Sequence, residues 1–185
     1  MGLRLSLLTR PGVAAFLALL GACTSPPRSA TPSAPAWLPD VEVATLSGER
    51  TSIPHVAGGR IALVNLWATW CDACAKEMDA LNRLDAKASA EGGAVVIGVA
   101  VGEEPERVAA FVERRGLHYV QLVDERYALA DALGGPRRLP TTLVVDRSGR
   151  VVYRGEALDT GSLQALRRAL SSDPTTAKGK PDASL

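Results

Sequence analysis

Aromatic side chains make up only 4% of the 185 residues, so Val, Leu, Ile and Ala must fill whatever core the chain builds. Hydrophobic residues reach 46%, enough for one domain of ordinary size with appendages. No polycationic run or basic stripe is present and the formal net charge is +1, so nothing marks a nucleic-acid surface and charge identifies no partner. Histidine occurs twice, at His55 and His118, each isolated in the sequence, which leaves a metal centre short of ligands. No internal repeat is visible. The apolar run at residues 13–20 is too short to cross a bilayer comfortably. Cysteine is scarce too, with Cys23, Cys71 and Cys74 the full set.

Arg4 and Arg10 precede that apolar run, which ends in small residues. This is the charged, apolar and small-residue order of a secretory signal, expected over residues 1–22. Leu20-Gly21-Ala22-Cys23 resembles the lipobox of bacterial lipoproteins. That resemblance implies a lipid on Cys23 and tethering to a membrane of the bacterial cell envelope, on its extracytoplasmic side. Ordinary signal cleavage with Cys23 left as a spare thiol, or an uncleaved anchor, stays open. Residues 23–39, rich in Pro, Ser and Ala, read as an extended linker, and residues 173–185 as a disordered tail. The folded domain is expected at residues 40–172.

Within it, residues 61–67 (IALVNLW) form an apolar run that passes through Ala68, Thr69 and Trp70 into Cys71-Asp72-Ala73-Cys74. A helix is expected from Cys71 to about residue 90, with Met78, Leu81, Leu84 and Ala88 on one face. Residues 94–101 (AVVIGVAV) read as a second buried parallel strand. A hairpin is expected over residues 41–53. A helix follows from Glu103 to Arg115, a short strand at residues 119–123 and a short helix at residues 125–133. A strand at residues 142–145, a tight turn, a strand at residues 151–153 and a closing helix at residues 162–170 complete the chain. Strands alternating with helices and ending in a hairpin predict an α/β sandwich around a mixed sheet.

Two sulfurs at i and i+3 lie one helical turn apart, so Cys71 and Cys74 can interchange between dithiol and disulfide. Cys71 is the nearer to the helix N-terminus, where unpaired N–H groups favour a thiolate. A purely structural staple is the plain alternative, although so small a loop removes little chain entropy.

The stretch VNLWATWCDACAKEMDALN, taken with LPTTLVVDRSG, resembles the TlpA/ResA-type branch of thioredoxin-fold proteins over roughly residues 40–170. The resemblance implies a thioredoxin-like sandwich with helices on both faces of a mixed central sheet, an N-terminal β-hairpin and an extra β–α unit near residues 102–123. It implies a thiol:disulfide oxidoreductase without a cofactor, in which Cys71 is the exposed nucleophile and Cys74 the resolving thiol. Trp70 would shield the site. Pro140 matches the cis-proline of this fold, and the backbone of Leu139 would pair with substrate as an added strand. Glu77 stands where this branch has a proton-handling glutamate, although a solvated helix glutamate is the plain reading of its spacing. Implied partners are an exported client protein with a disulfide or thiol pair, as in cytochrome c maturation or metal-centre assembly, and a DsbD/CcdA-like membrane electron donor. A monomer is expected.

The chain departs from its relatives at two places. Asn65 stands where thioredoxins proper carry a buried strand acid, and it cannot shuttle a proton. Asp72-Ala73 replaces the proline many relatives place between the cysteines. An acid beside the nucleophile opposes its thiolate, which predicts a couple on the reducing side. Competing readings are a copper or zinc site, a peroxiredoxin-like peroxidase and a redox-inert binding module. Glu103-Glu104 reads as an acidic helix start and Arg114-Arg115 as its basic end, while Arg137-Arg138 would lie near the cysteines.

Overall fold

The computed structural model describes residues 37–135 and 138–172. The expected leader, Cys23, most of the linker, Arg137 and the tail lie outside the described residues.

Among the described residues one sheet holds β1 (Val43–Thr45), β2 (Arg50–Thr51), β3 (Ile61–Trp67), β4 (Ala94–Val101), β5 (Val120–Asp124), β6 (Thr141–Val145) and β7 (Val151–Gly155). Its spatial order is β2-β1-β5-β4-β3-β6-β7. β4 pairs parallel with both β3 and β5, and the remaining pairings are antiparallel. The helices are α1 (Ile53–Ala57), α2 (Asp72–Ala75), α3 (Met78–Glu91), α4 (Pro105–Arg115), α5 (Ala128–Ala132) and α6 (Thr160–Ser171). The mixed sheet, the amino-terminal hairpin and the extra unit (α4 with β5) are therefore present as expected.

Every residue of β3 and β4 is buried, because both faces of these strands are covered. Ile61, Leu63 and Trp67 join a cluster with Met78 and Leu81 of α3, Val108 of α4 and Leu166 of α6. Ala62, Val64 and Leu66 point the other way, into a cluster with Ile53 and Ala57 of α1 and Leu129 and Ala130 of α5. The period-2 alternation of a strand thus divides one apolar run between two cores.

Gly98, in the middle of β4, is a place where a side chain has no room. A Cβ there would stand 2.4 Å from Gln121 Oε1, 2.9 Å from Tyr119 Cε2 and 3.0 Å from Trp67 Nε1. Those groups are themselves constrained, since Trp67 Nε1 donates to Gln121 Oε1 at 3.1 Å. Gly98→Ala is expected to cost about 1–3 kcal/mol through overpacking. A lower urea midpoint at unchanged slope would show it, and an unchanged midpoint would contradict it.

Four local expectations are corrected. The single helix from Cys71 is two helices with a break at Lys76 and Glu77. Ala75 N–H reaches back four residues to Cys71 O, Glu77 N–H only three to Cys74 O, and the ladder resumes at Leu81 N–H to Glu77 O. Apolar spacing cannot reveal this break, because Cys74, Met78, Leu81 and Ala88 stay on the buried face across it. The expected hairpin ends at Thr51 and residues 53–57 are helical: Ser52 is extended ahead of them, Pro54 sits in the first turn, and Gly58 N–H caps Pro54 O. His55 therefore lies on a helix. The strand of the extra unit, β5, begins at Val120, one residue later than expected, and ends at Asp124. Finally, the sheet reaches back into the expected linker, where Leu38 is buried and donates its N–H to Gly149 O at 2.8 Å.

Candidate functional site

β3 ends at Trp67, and residues 68–70 carry the chain to Cys71, whose N–H closes a turn onto Ala68 O at 3.1 Å. Cys71 is the N-cap of α2, and its Sγ accepts from Cys74 N–H at 3.1 Å. The two sulfurs are bonded, with Cα atoms 5.3 Å apart. Cys71, expected to be exposed, is buried with 8% of its surface accessible, and Cys74 is more enclosed at 2%. A backbone donor aimed at Cys71 Sγ favours a thiolate there once the bond is reduced. Trp70, the neighbouring residue, is 67% exposed.

A polar network joins residues far apart in sequence to Glu77, three residues past Cys74. Asn65 faces Thr142 across the antiparallel β3–β6 ladder, and its Nδ2 donates to Thr142 Oγ1 at 3.0 Å. The same nitrogen reaches Glu77 Oε2 at a long 3.5 Å. Glu77 Oε1 accepts from Leu158 N–H at 2.9 Å. The break after α2 is what places this carboxylate between β3 and the segment preceding α6. Burial pushes the Glu77 carboxyl above its ordinary range; the Leu158 and Asn65 hydrogen bonds pull it down, and nearby Asp159 adds a further rise. Burial likewise lifts the Tyr119 phenol to about 12, Gln121 opposing the rise and the charge of Glu77 adding to it.

The Leu139–Pro140 bond, which leads into β6, is cis. Pro140 is buried, and Leu139 packs against the cluster that contains both cysteines. Thr141 and Thr142 belong to β6. Arg138, in the same loop, is exposed and pairs with Glu156 at 3.5 Å. Cys71, Cys74, Leu139 and, through Asn65 and Thr142, Glu77 and the Pro140 loop thus meet at one end of the sheet. Among the described residues no three His, Cys, Asp or Glu side chains gather as metal ligands.

The sequence reading missed Glu103. Expected as an acidic helix start, it is only 7% exposed, and its carboxylate accepts from Thr69 N–H at 2.7 Å and from Thr69 Oγ1 at 2.5 Å. Its position two residues past the end of a buried parallel strand is the available signal, because sites in α/β sheets gather at the carboxyl ends of such strands.

The Redoxin family model matches residues 33–169. The chain is 33% identical over 112 residues to the thioredoxin-like protein YneN of Bacillus subtilis, covering 60% of this chain and 64% of that protein. It is 34% identical over 114 residues to the thiol-disulfide oxidoreductase ResA of Geobacillus thermodenitrificans, covering 61% and 63% respectively. The match therefore spans less than two thirds of these relatives' length. A crystal structure of a secreted thiol-disulfide isomerase from Corynebacterium glutamicum superposes with a TM-score of 0.62 at 28% identity, over 72% of this chain and 83% of that one. The fold is thioredoxin-like.

Proposed function

The chain belongs to the Redoxin family, and from that premise we propose that it is a membrane-tethered, extracytoplasmic thiol:disulfide oxidoreductase that reduces disulfides in exported client proteins. The observation that carries this reading is the Cys71–Cys74 bond at a helix start, with Cys74 N–H directed at Cys71 Sγ. The names of ResA and of the secreted isomerase support it. In the reduced protein the Cys71 thiolate attacks a client disulfide, forming a mixed disulfide and releasing one client thiolate. Cys74 then loses its proton and attacks Cys71 Sγ, which re-forms the Cys71–Cys74 bond and frees the second client thiolate. Two electrons pass from the protein to the client, and both client thiolates take up protons.

Around that exchange, Glu77 receives the Cys74 proton, the Leu139 backbone offers an edge to the client beside Pro140, and Trp70 borders the entry. Signal cleavage after residue 22 and a lipid on Cys23 would hold the folded domain on a tether, as a monomer. No helix among the described residues is long and apolar enough to cross a membrane. Re-reduction then requires a DsbD/CcdA-like membrane donor, and clients would be apocytochrome c thiols or metal-assembly proteins.

The test is catalysis of insulin reduction by dithiothreitol, together with a redox titration of the Cys71/Cys74 pair. Activity is expected, with the couple on the reducing side because Asp72 opposes the Cys71 thiolate. A potential near the roughly −120 mV of the strong oxidant DsbA would refute the direction of transfer.

A further inference from the structure

The geometry points to Glu103 as a positioning residue for disulfide exchange: its buried carboxylate clamps Thr69 and so fixes the approach segment, residues 68–70, that leads into Cys71. The inference rests on the oxidoreductase reading for its catalytic consequence and on the hydrogen bonds alone for its existence.

The β3–β4 ladder ends at the pair Trp67 and Ala100. Beyond it, Thr69 has a backbone N–H and a hydroxyl without a neighbouring strand to receive them. One carboxylate takes both, at 2.7 Å and 2.5 Å. Ionised acceptors make the stronger class of hydrogen bond, and a carboxylate with only 4% of its side chain exposed needs such compensation. Arg107, on the first turn of α4, closes the outer side at 3.4 Å.

The other end of the clamp is anchored away from the cysteines. Gly102 donates its N–H to Asp124 O at 2.9 Å, and Asp124 Oδ2 accepts from Ala130 N–H on α5 at 2.9 Å. Gly102 has φ +72°, and a Cβ there would lie 2.0 Å from Tyr127 Oη, so the phenol lies directly against its bare α-carbon. Pro105 starts α4 two residues after Glu103. The carboxylate is thereby fixed by β5, α5 and α4, none of which carries a sulfur. It holds the entry segment in place independently of α2.

Thr69 directly precedes Trp70, the exposed aromatic beside the disulfide. A protein client must fit this segment, whereas a small disulfide need only reach the sulfur. Loosening the segment therefore acts on client recognition more than on sulfur chemistry.

The test compares insulin with the small disulfide DTNB as substrates of the reduced protein. Glu103→Ala is expected to lower kcat/KM for insulin about tenfold, mainly through KM, as a misplaced positioning element does. The DTNB rate should change less than about threefold, since its access to Cys71 needs little orientation. Glu103→Gln keeps a neutral acceptor for Thr69 N–H and should recover most of the loss. Thr69→Val removes only the hydroxyl and should fall between. The double variant Glu103→Ala/Thr69→Val should match Glu103→Ala alone, because the two changes break one interaction. Unchanged insulin kinetics in folded Glu103→Ala, or losses that multiply in the double variant, would overturn the clamp. If Glu103→Ala does not fold, parent-like insulin kinetics in both Glu103→Gln and Thr69→Val overturn it equally. A parent protein inert toward both disulfides overturns the oxidoreductase reading instead. The clamp is then decided by hydrogen exchange of the Thr69 amide, slow in the parent and fast in Glu103→Ala if it exists, and equally fast in the parent if it does not.

Discussion

Replacing Cys74 with alanine is expected to stop turnover and leave the protein covalently joined to its clients through Cys71. Effective concentration decides the outcome. In the parent, the resolving sulfur is held three residues away in a helical turn whose Cα–Cα distance is 5.3 Å. A group positioned in this way acts at an effective molarity on the order of 10⁵ M or more. Millimolar thiols in solution cannot replace it, so the mixed disulfide persists while the first, bimolecular attack remains intact. Burial matters as well. Cys74 is nearly fully enclosed in the core against α3, which shields it from competing attack, while Cys71 keeps the greater exposure of the two. Alanine is only one sulfur smaller, so the fold should survive. Non-reducing electrophoresis followed by mass spectrometry of the adducts would identify the clients directly. Cys71→Ser should give neither turnover nor adducts. Adducts that form on Cys71→Ser, or turnover that continues in Cys74→Ala, would reverse the roles given to the two sulfurs.

What the sequence discloses and what it hides divide along a physical line. β3 and β4 could be read to the residue because each is a continuous apolar run covered on both faces, and the Cys71–Cys74 spacing states its chemistry in four residues. The break at Lys76 and Glu77 was hidden because the buried face runs across it without losing register. Glu103 was hidden for a different reason. An acid next to a helix start has a sufficient local explanation, and only the meeting of two loops from adjacent strands shows that it is buried against Thr69. The bond from Leu158 N–H to Glu77 spans 81 positions, which no local pattern reports. Periodicity records which face of an element is apolar. It does not record which polar side chain a distant loop delivers to that face.

Glu77→Gln is the substitution in which rate and stability should part. The carboxylate sits half-buried between Asn65 and Leu158, and burial is the largest influence on it, holding its carboxyl above the ordinary range. A folded-state value raised above the unfolded one means that stability from this group is present below the unfolded value and declines as pH rises through the folded one. At neutral pH the ionised side chain therefore lowers stability, and the neutral isostere should leave the urea midpoint unchanged or raise it. The rate should move the other way. Resolution requires that Cys74 lose its proton inside a core where a bare thiolate is disfavoured by burial, and Asn65 on the adjacent strand cannot accept one. A positioned general base contributes about 10²–10⁴-fold to such a step, so the loss in Glu77→Gln should fall at the lower part of that range, because water can partly substitute at a half-exposed group. The pH profile separates this from a packing effect. In the parent, resolution should rise with pH through a carboxyl titration displaced upward from the usual range and then through the thiol titration, whereas Glu77→Gln should show only the second. Stopped-flow measurement of mixed-disulfide decay at several pH values would read both features, and a profile that keeps its lower inflection in Glu77→Gln would remove Glu77 from the proton path and reduce it to a tie between β3 and the α6 approach.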